Sequence, residues 1–214
     1  MSWPLFVPSA PTSVDPMPAT PGTGARVLTR RRVLGAVVAA GLCAGARVDA
    51  ATPPLQGLVL PRLPAPDLAL TDTQGRTIGL SAQLRGKVTA VQLMFAGCSS
   101  ICPIQGAVFA SVAQKLKTRD AQLLSLTVDP LGDSPQALRS WLDRFGQHSL
   151  WHAGSPRVQD VDALAEFLRG FPPKAGTHSS QVFLFDRQTK LAFRTAELPS
   201  AEQIVELLAM LAAA

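Results

Sequence analysis

Two cysteines lie close together near the middle of the chain, in a position typical of reactive sulfur. The segment Cys98-Ser-Ser-Ile-Cys102 directly follows the apolar residues 88–95, and Pro103 comes next. Proline is favoured at the start of a helix, where residues i and i+4 share one face, so both sulfurs can point at a common atom. A third candidate donor, His178, precedes another apolar run. Two thiolates and one imidazole form a three-donor set suited to copper.

This spacing leaves a metal site and a redox-active pair both open. The dipole at a helix amino terminus stabilises thiolate, the form needed for metal ligation and for attack on a disulfide. Copper requires the reduced dithiol, and a Cys98–Cys102 disulfide would exclude it. A purely structural disulfide is disfavoured because so short a loop removes little chain entropy. The pair can therefore serve a copper carrier or a redox partner.

Zinc is a poorer match, because structural zinc nearly always has four protein ligands. The remaining candidates, His148 and His152, have no evident route to the cysteines, and we interpret both as surface or packed histidines. Asp129 and Asp133 flank a turn, and we interpret them as turn formers and helix caps rather than ligands.

The apolar runs and turn signals predict an α/β fold, with a central mixed sheet flanked by helices and an N-terminal hairpin extension. The hairpin is predicted at residues 68–78, with Gly75 in its turn. Further strands are predicted at residues 88–95, 122–128, 150–152, 182–185 and 191–195.

Helices are predicted between these strands from their caps and apolar spacing. One is a short turn at residues 81–86, and another lies around residues 161–168. Ser134-Pro135 predicts a capped helix start, and Ser200 with Gln203 predicts a capping box. The helix that starts at Pro103 is predicted to end near residue 117 and to bury a face made of Ile104, Val108, Val112 and Leu116.

In their order and spacing these residues resemble the Sco/SenC family of thioredoxin-like copper proteins. The resemblance covers about 120 residues, from 66 to 186. Its motifs are Leu-Arg-Gly-Lys at 84–87, Phe-Ala-Gly-Cys at 95–98, Cys-Pro at 102–103, Thr-Val-Asp-Pro-Leu-Gly-Asp-Ser-Pro at 127–135 and Thr-His-Ser at 177–179. The family's usual loop reads Cys-Pro-Asp-Val-Cys-Pro, and this chain has Ser99 and Ser100 in place of Pro and Asp.

The resemblance implies a thioredoxin-like fold and one copper ion held by Cys98, Cys102 and His178. It implies a metallochaperone that assembles the copper A centre of cytochrome c oxidase. The expected partners are the oxidase subunit that carries this centre and a thioredoxin-like reductant.

The alternative is an enzyme, a thioredoxin-type thiol-disulfide reductase acting on exported proteins, with Cys98 and Cys102 as its redox-active pair. Ordinary thioredoxins carry a cis-proline where this chain has Thr177-His178, which favours metal binding over general disulfide exchange. Peroxidase chemistry is disfavoured because no Thr/Pro-x-x-Cys-Arg arrangement surrounds Cys98.

Residues 1–50 are predicted to be a leader rather than part of the domain at 51–214. Thr29-Arg-Arg-Arg-Val-Leu-Gly35 is typical of a twin-arginine export signal, and an apolar stretch at 33–46 and small residues at 48–50 follow it. A spanning helix needs about 20 apolar residues, so cleavage and a periplasmic location are expected. Retention of residues 33–46 as an inner-membrane anchor is the alternative.

The leader also explains most of the positive charge. The whole chain has a net charge of +5, but five of its 20 basic and two of its 15 acidic residues precede residue 51. The 15 basic and 13 acidic residues that remain leave +2. No stripe of basic and aromatic residues is present, which excludes nucleic acid as an expected partner.

Overall fold

Helices cover both faces of one sheet in the part of the chain that the computed structural model describes, residues 56–116, 119–169 and 179–214. These residues belong to one unit, Ala50–Ala214. The strands are β1 (Gly57–Pro64), β2 (Ala69–Asp72), β3 (Thr77–Gly79), β4 (Val88–Met94), β5 (Ala121–Thr127), β6 (Trp151–Pro156), β7 (Val182–Phe185) and β8 (Lys190–Arg194). The helices are α1 (Leu80–Leu84), α2 (Ile101–Lys115), α3 (Pro135–Arg144), α4 (Val161–Arg169) and α5 (Ala201–Ala213).

The sheet is mixed, as predicted. Its strand order is β1-β8-β7-β4-β5-β6-β2-β3. The three strands β4, β5 and β6 are parallel to one another, whereas β7 runs antiparallel to both β4 and β8. Every residue of β4 and β5 is buried, which is typical of central strands that are covered on both faces.

The predicted hairpin is confirmed, and a strand that precedes it was missed. In the hairpin, β2 and β3 pair with Leu70 opposite Ile78, and Gly75 has a φ of +79° in the turn. The hairpin joins the main sheet through β6. The missed strand, β1, forms the opposite edge against β8. Its two prolines, Pro61 and Pro64, disguise it because proline cannot donate to a strand ladder and is tolerated only at a sheet edge.

The hydrophobic core forms two clusters, one on each face of the sheet. One cluster joins the sheet to α2, α3 and α5 and includes Phe109, Trp141 and Ile204. The other joins it to α1 and α4 and includes Leu84 and Leu164. The helices therefore flank the sheet on both sides.

The predicted buried face of α2 is confirmed in part: Val112 is buried, and Val108 and Leu116 pack half-buried against the core. The residues it buries are Cys102, Gln105, Gly106, Phe109, Val112 and Ala113, whereas Ile104 is 54% exposed. A strict i+4 series drifts about 40° around a helix at each step, so only Val112 of that series is buried. Packing is also close at Gly106, where a Cβ atom would lie 2.3 Å from Phe145 Cζ.

Four strands have one of their ends at the same end of the sheet, where β4 and β5 finish. We call this end of the sheet, which is formed by strand ends and not by an outer strand, the cysteine edge. The strands β4 and β5 end there together, with Met94 opposite Thr127. The antiparallel neighbour β7 begins there, since Gln92 pairs with Val182. The end of β8 is also close, because Thr195 N donates to Val182 O over 3.0 Å. Loops that follow or precede these strands are thus brought together.

Candidate functional site

The cysteine loop, residues 95–100, leaves β4 at the cysteine edge and leads into α2. Cys98 is 7% exposed and Cys102 is fully buried, and both are reduced thiols. Cys98 N donates to Phe95 O over 3.1 Å, which closes a tight turn. Since α2 begins at Ile101, Cys102 lies in its first turn while Cys98 precedes the helix. The two cysteine side chains are hydrogen-bonded to each other, so they lie together as predicted. They do not share one helical face, however, because Cys98 belongs to the loop before α2.

The pKa values of the two thiols are shifted in opposite directions. Burial raises the pKa of Cys98, but hydrogen bonds from Cys102 and Ser100 outweigh it and lower that pKa to about 6. The Cys98 Sγ and Ser100 Oγ atoms are 3.6 Å apart. Burial, the hydrogen bond to Cys98 and the charges of Cys98 and Asp133 raise the pKa of Cys102 to about 12. At neutral pH Cys98 is therefore a thiolate, and Cys102 is a thiol that donates a hydrogen bond to it.

The peptide groups of Ala96 fix the cysteine loop to α3 and the turn before it. Asp133 Oδ2 accepts from Ala96 N over 2.9 Å and from Thr127 Oγ1 over 2.5 Å. Arg144 Nη2 donates to Ala96 O over 3.0 Å, and its guanidinium lies 5.2 Å from the centre of the Trp141 ring. The loop is thus held from both ends of α3.

The two aspartates of the turn after β5 differ in role. Asp129 is a turn former, as predicted: its Oδ1 accepts from Gly132 N over 3.0 Å. The cap of α3 is Ser134, whose Oγ accepts from Ala137 N. Asp133 is only 5% exposed and acts on the cysteine loop, a role that the sequence interpretation missed. The signal was its place in the turn after β5, a strand that ends beside β4, which leads into the cysteine loop.

His178 lies outside the described residues, and the chain is described again from Ser179. We call residues 179–181 the serine segment. Within it, Ser179 Oγ donates to Glu197 Oε1 over 2.7 Å, and Ser180 N donates to Glu197 Oε2 over 2.5 Å. The segment precedes β7, which begins next to the end of β4. The sequence interpretation did not single out Glu197.

The other two histidines are both half-buried. His148 Nδ1 accepts from Leu150 N over 3.3 Å. His152 lies in β6, where burial and the charge of Lys87 lower its pKa. Both line a cavity of about 630 Å³ between the β2–β3 hairpin, α3 and β6, and neither cysteine contributes to it. Within residues 56–116, 119–169 and 179–214, no cluster of three or more His, Cys, Asp or Glu side chains could hold a metal ion.

A dithiol presented between a buried central strand and a helix, on a mixed sheet covered on both faces, defines a protein of the thioredoxin-like class. The chain belongs to the SCO1/SenC family, whose model matches residues 64–213. This confirms the family that the motifs predicted.

One curated relative is the SCO1 protein homolog of Bacillus subtilis (strain 168). It is 32% identical over 73 residues, which are 33% of this chain and 37% of that protein. The matched part thus spans little more than a third of the relative's length.

Solved structures show the same fold at low identity. A SCO1/SenC family lipoprotein from Bacillus anthracis str. Ames has a TM-score of 0.63 and 23% identity, over 71% of this chain and 96% of the other. BsSco is described as a Sco-family cytochrome c oxidase assembly protein with a disulfide switch. Its structure has a TM-score of 0.62 and 18% identity, over 71% of this chain and 95% of BsSco. Yeast Sco1 with copper bound has a TM-score of 0.58 and 23% identity, over 70% of this chain and 88% of the yeast chain. The predicted thioredoxin-like fold is therefore confirmed.

The leader prediction concerns residues 1–50, which lie outside the described residues. In the part of the chain that is described, none of the helices has the length and apolar character needed to span a membrane.

Proposed function

We propose that this protein is a copper metallochaperone that binds one copper ion through Cys98, Cys102 and His178. Its cargo would go to the copper A centre of cytochrome c oxidase. The observation that carries this proposal is the pair of adjacent thiols, one lowered and one raised in pKa, at the cysteine edge. The copper-bound structure of yeast Sco1 and the oxidase-assembly role described for BsSco support it.

The donor chemistry of the described residues fits copper. Thiolates are soft ligands that favour cuprous copper, and Cys98 is already a thiolate at neutral pH. Cys102 would give up its proton when the metal binds, so binding should release protons to the buffer. His178 would complete three-coordination as the neutral imidazole.

Anaerobic titration of the reduced full-length chain with cuprous copper, against a coloured chelator, tests the ligand set. We expect one copper per chain, and we expect Cys98→Ala, Cys102→Ala and His178→Ala each to lose most of the affinity, because two donors hold cuprous copper poorly. His148→Ala is the matched control and should bind as the parent does. Full affinity in His178→Ala would remove the histidine from the site, and full affinity in either cysteine variant would end the copper proposal.

Delivery needs its own measurement. The copper-loaded chain would be mixed with a copper-free copper A domain of the oxidase, and the visible absorption of that centre would be followed. We expect the centre to form, and we expect no transfer from a preparation of His178→Ala treated in the same way. Copper that stays on the chain would argue for storage instead of delivery.

A second candidate function, thiol-disulfide reductase, is favoured by the low pKa of Cys98. In this scheme the Cys98 thiolate attacks a substrate disulfide, forms a mixed disulfide and releases one substrate thiolate. Cys102 then loses its proton and attacks Cys98 Sγ, which frees the second substrate thiolate. The substrate gains two electrons, and the protein is left with a Cys98–Cys102 disulfide until a thioredoxin-like reductant restores it.

Thiol alkylation followed by mass spectrometry separates the two functions. Copper should protect both sulfurs from alkylation and oxidation, while the copper-free protein should oxidise to an intramolecular disulfide that binds no copper until it is reduced. Equal alkylation with and without copper would mean that the sulfurs are not ligands, and the reductase would become the first candidate.

The proposed place of action is outside the cytoplasm, in the periplasm, after export by the twin-arginine route. Replacing Arg30 and Arg31 with lysine should leave precursor in the cytoplasm, because the receptor reads the paired arginines as an address. Normal export of that variant would indicate another route. The size of the exported protein would distinguish cleavage from an anchor at residues 33–46.

A further inference from the structure

The cavity of about 630 Å³ between the β2–β3 hairpin, α3 and β6 is not used by the proposed function, because neither cysteine lines it. It forms where the hairpin parts from β6. The pairing of β2 with β6 ends at Asp72 and Gly154, whereas β6 itself begins at Trp151. The volume lies within the range of about 300–1,000 Å³ that is typical of small-molecule sites. Its floor is made of buried apolar side chains, namely Leu70, Leu124, Leu142 and Trp151.

The charged side chains that line this cavity leave one positive charge uncompensated. Apart from two histidines, the titratable residues among its described lining are Asp72, Arg76 and Arg139. Asp72 is paired with Arg76, whose Nε donates to Asp72 Oδ2 over 2.8 Å. The other oxygen, Oδ1, accepts from Gln74 N over 2.8 Å and from Arg76 N over 2.9 Å. Within residues 56–116, 119–169 and 179–214, no carboxylate lies within 4.0 Å of Arg139, so the cavity favours an anion.

Arg139 is held at the cavity by a single bond that leaves most of its donors available. Its Nη2 donates to Thr73 O over 2.6 Å, which joins α3 to the hairpin turn. This is the one hydrogen bond that the side chain makes to the described residues. A guanidinium carries five N–H donors in a planar fork, and such a fork can bind a carboxylate through two parallel hydrogen bonds.

The two histidines that line the cavity add neutral donors. His148 Nδ1 accepts from Leu150 N over 3.3 Å, so the neutral ring carries its proton on Nε2. His152 is also neutral at pH 7, because burial and the charge of Lys87 lower its pKa. The lining therefore combines one cation and polar N–H groups with an apolar floor, a combination that suits an anion with an apolar body.

We propose that this cavity is a second binding site of the protein, which takes a small organic carboxylate with an apolar body. Arg139 binds the carboxylate, and the body of the ligand lies against the side of the cavity formed by Leu70 and Trp151. The site goes beyond copper binding, since it requires neither the cysteines nor His178.

Isothermal titration calorimetry of the full chain with 2-naphthoate and with its uncharged amide, 2-naphthamide, tests the site. We expect one 2-naphthoate per chain, bound more tightly than the amide. Arg139→Gln should weaken 2-naphthoate about tenfold, because a hydrogen bond to a charged group is lost, and should leave 2-naphthamide unchanged. Arg139→Lys, which keeps the charge without the fork, should give a smaller loss. Arg119→Gln is the matched control, because Arg119 is exposed and does not line the cavity, and it should bind both probes as the parent does.

A second variant locates the probes. Ser149 lines the cavity at an exposed position, so the indole of Ser149→Trp should obstruct the mouth and weaken both probes. Undiminished binding of both in that variant would place them elsewhere and overturn the proposal. Equal losses of the two probes in Arg139→Gln would mean that the arginine only holds the hairpin, and would overturn it as well. Failure of the parent chain to bind 2-naphthoate at millimolar concentration would also overturn it.

Discussion

The cysteine loop and the serine segment adjoin the same edge of the sheet on neighbouring strands, and a carboxylate holds each of them by a backbone N–H. Asp133 accepts from Ala96 N, and Glu197 accepts from Ser180 N. The two carboxylates differ in environment. Asp133 is 5% exposed and also bonds to the buried Thr127, whereas Glu197 belongs to an exposed loop.

Because of this difference in burial, we expect Asp133 to be required for the stability of the fold and Glu197 to be required only locally, at the serine segment. Water can replace an exposed carboxylate as a hydrogen-bond acceptor, but it cannot reach a buried donor at no cost. Asp133 also places a charge near Cys102 and helps to raise its pKa, whereas the hydrogen bonds of Glu197 go to the serine segment. We therefore expect Asp133 to control stability and thiol chemistry, and Glu197 to control position alone.

The largest effect expected is on stability. Asp133→Ala should lower the free energy of unfolding by about 3 kcal/mol, because Ala96 N–H and the Thr127 hydroxyl would lose a buried partner at about 1–3 kcal/mol each. Glu197→Ala should cost less than about 1 kcal/mol, since water replaces the carboxylate. Urea denaturation of both variants measures this, and equal losses would break the comparison.

The next effect is the pH dependence of alkylation. With a pKa of about 6, Cys98 should be about nine-tenths thiolate at pH 7, against about one part in a hundred for a thiol with a pKa of 9. Its rate of reaction with iodoacetamide should rise as the pH increases through 6 and then level off, while Cys102 stays slow. Glu197→Ala should give the same profile. A rate for Cys98 that rises only near pH 9 would contradict the assigned thiolate.

A smaller change is expected when the charge alone is removed. Asp133→Asn should lower the pKa of Cys102, because one of the negative charges that oppose its ionisation is lost. Glu197→Gln should leave both thiol titrations in place. The ultraviolet absorbance of thiolate, followed against pH in the two variants, gives the answer, and a shift in the Glu197 variant would show that the two carboxylates are not distinct.

The smallest effects serve as controls for the helices that follow the two carboxylates. Ser134 caps α3 and Ser200 caps α5, and replacing either with alanine should cost about 1 kcal/mol. Neither change should move the alkylation profile of Cys98. If Ser134→Ala reproduced the loss expected for Asp133→Ala, the effect of Asp133 would be one of helix capping rather than of loop anchoring.

The sequence predicted those elements that local chemistry determines. Apolar runs located β4, β5 and β7, and Ser134 and Ser200 marked two helix starts because a cap is a local hydrogen bond. The face of α2 and the strand β1 were not predictable in this way. Which side of α2 is buried depends on the close approach of Phe145 to Gly106, and β1 exists only because β8 offers it an edge.

The same distinction between local and long-range features applies to the candidate site. The residue types of Cys98, Cys102 and His178 and the family pattern predicted the donors, and the structure brings the two cysteines together. The anchors Asp133, Arg144 and Glu197 contact loops that are distant in the sequence, so no local pattern marks them. The proposed place of His178 beside the cysteines stays a prediction that copper titration must decide.

The two bonds to Ala96 have a consequence for which changes α3 can accept. Asp133 directly precedes this helix and Arg144 ends it, yet both reach the same residue of the cysteine loop. Inserting one residue in α3 would turn Arg144 by about 100° and move it about 1.5 Å along the axis, away from Ala96 O. Exposed positions such as Gln136 and Ser140 can vary freely, whereas insertions and deletions should be excluded from these ten residues, so length more than composition is what this helix must preserve.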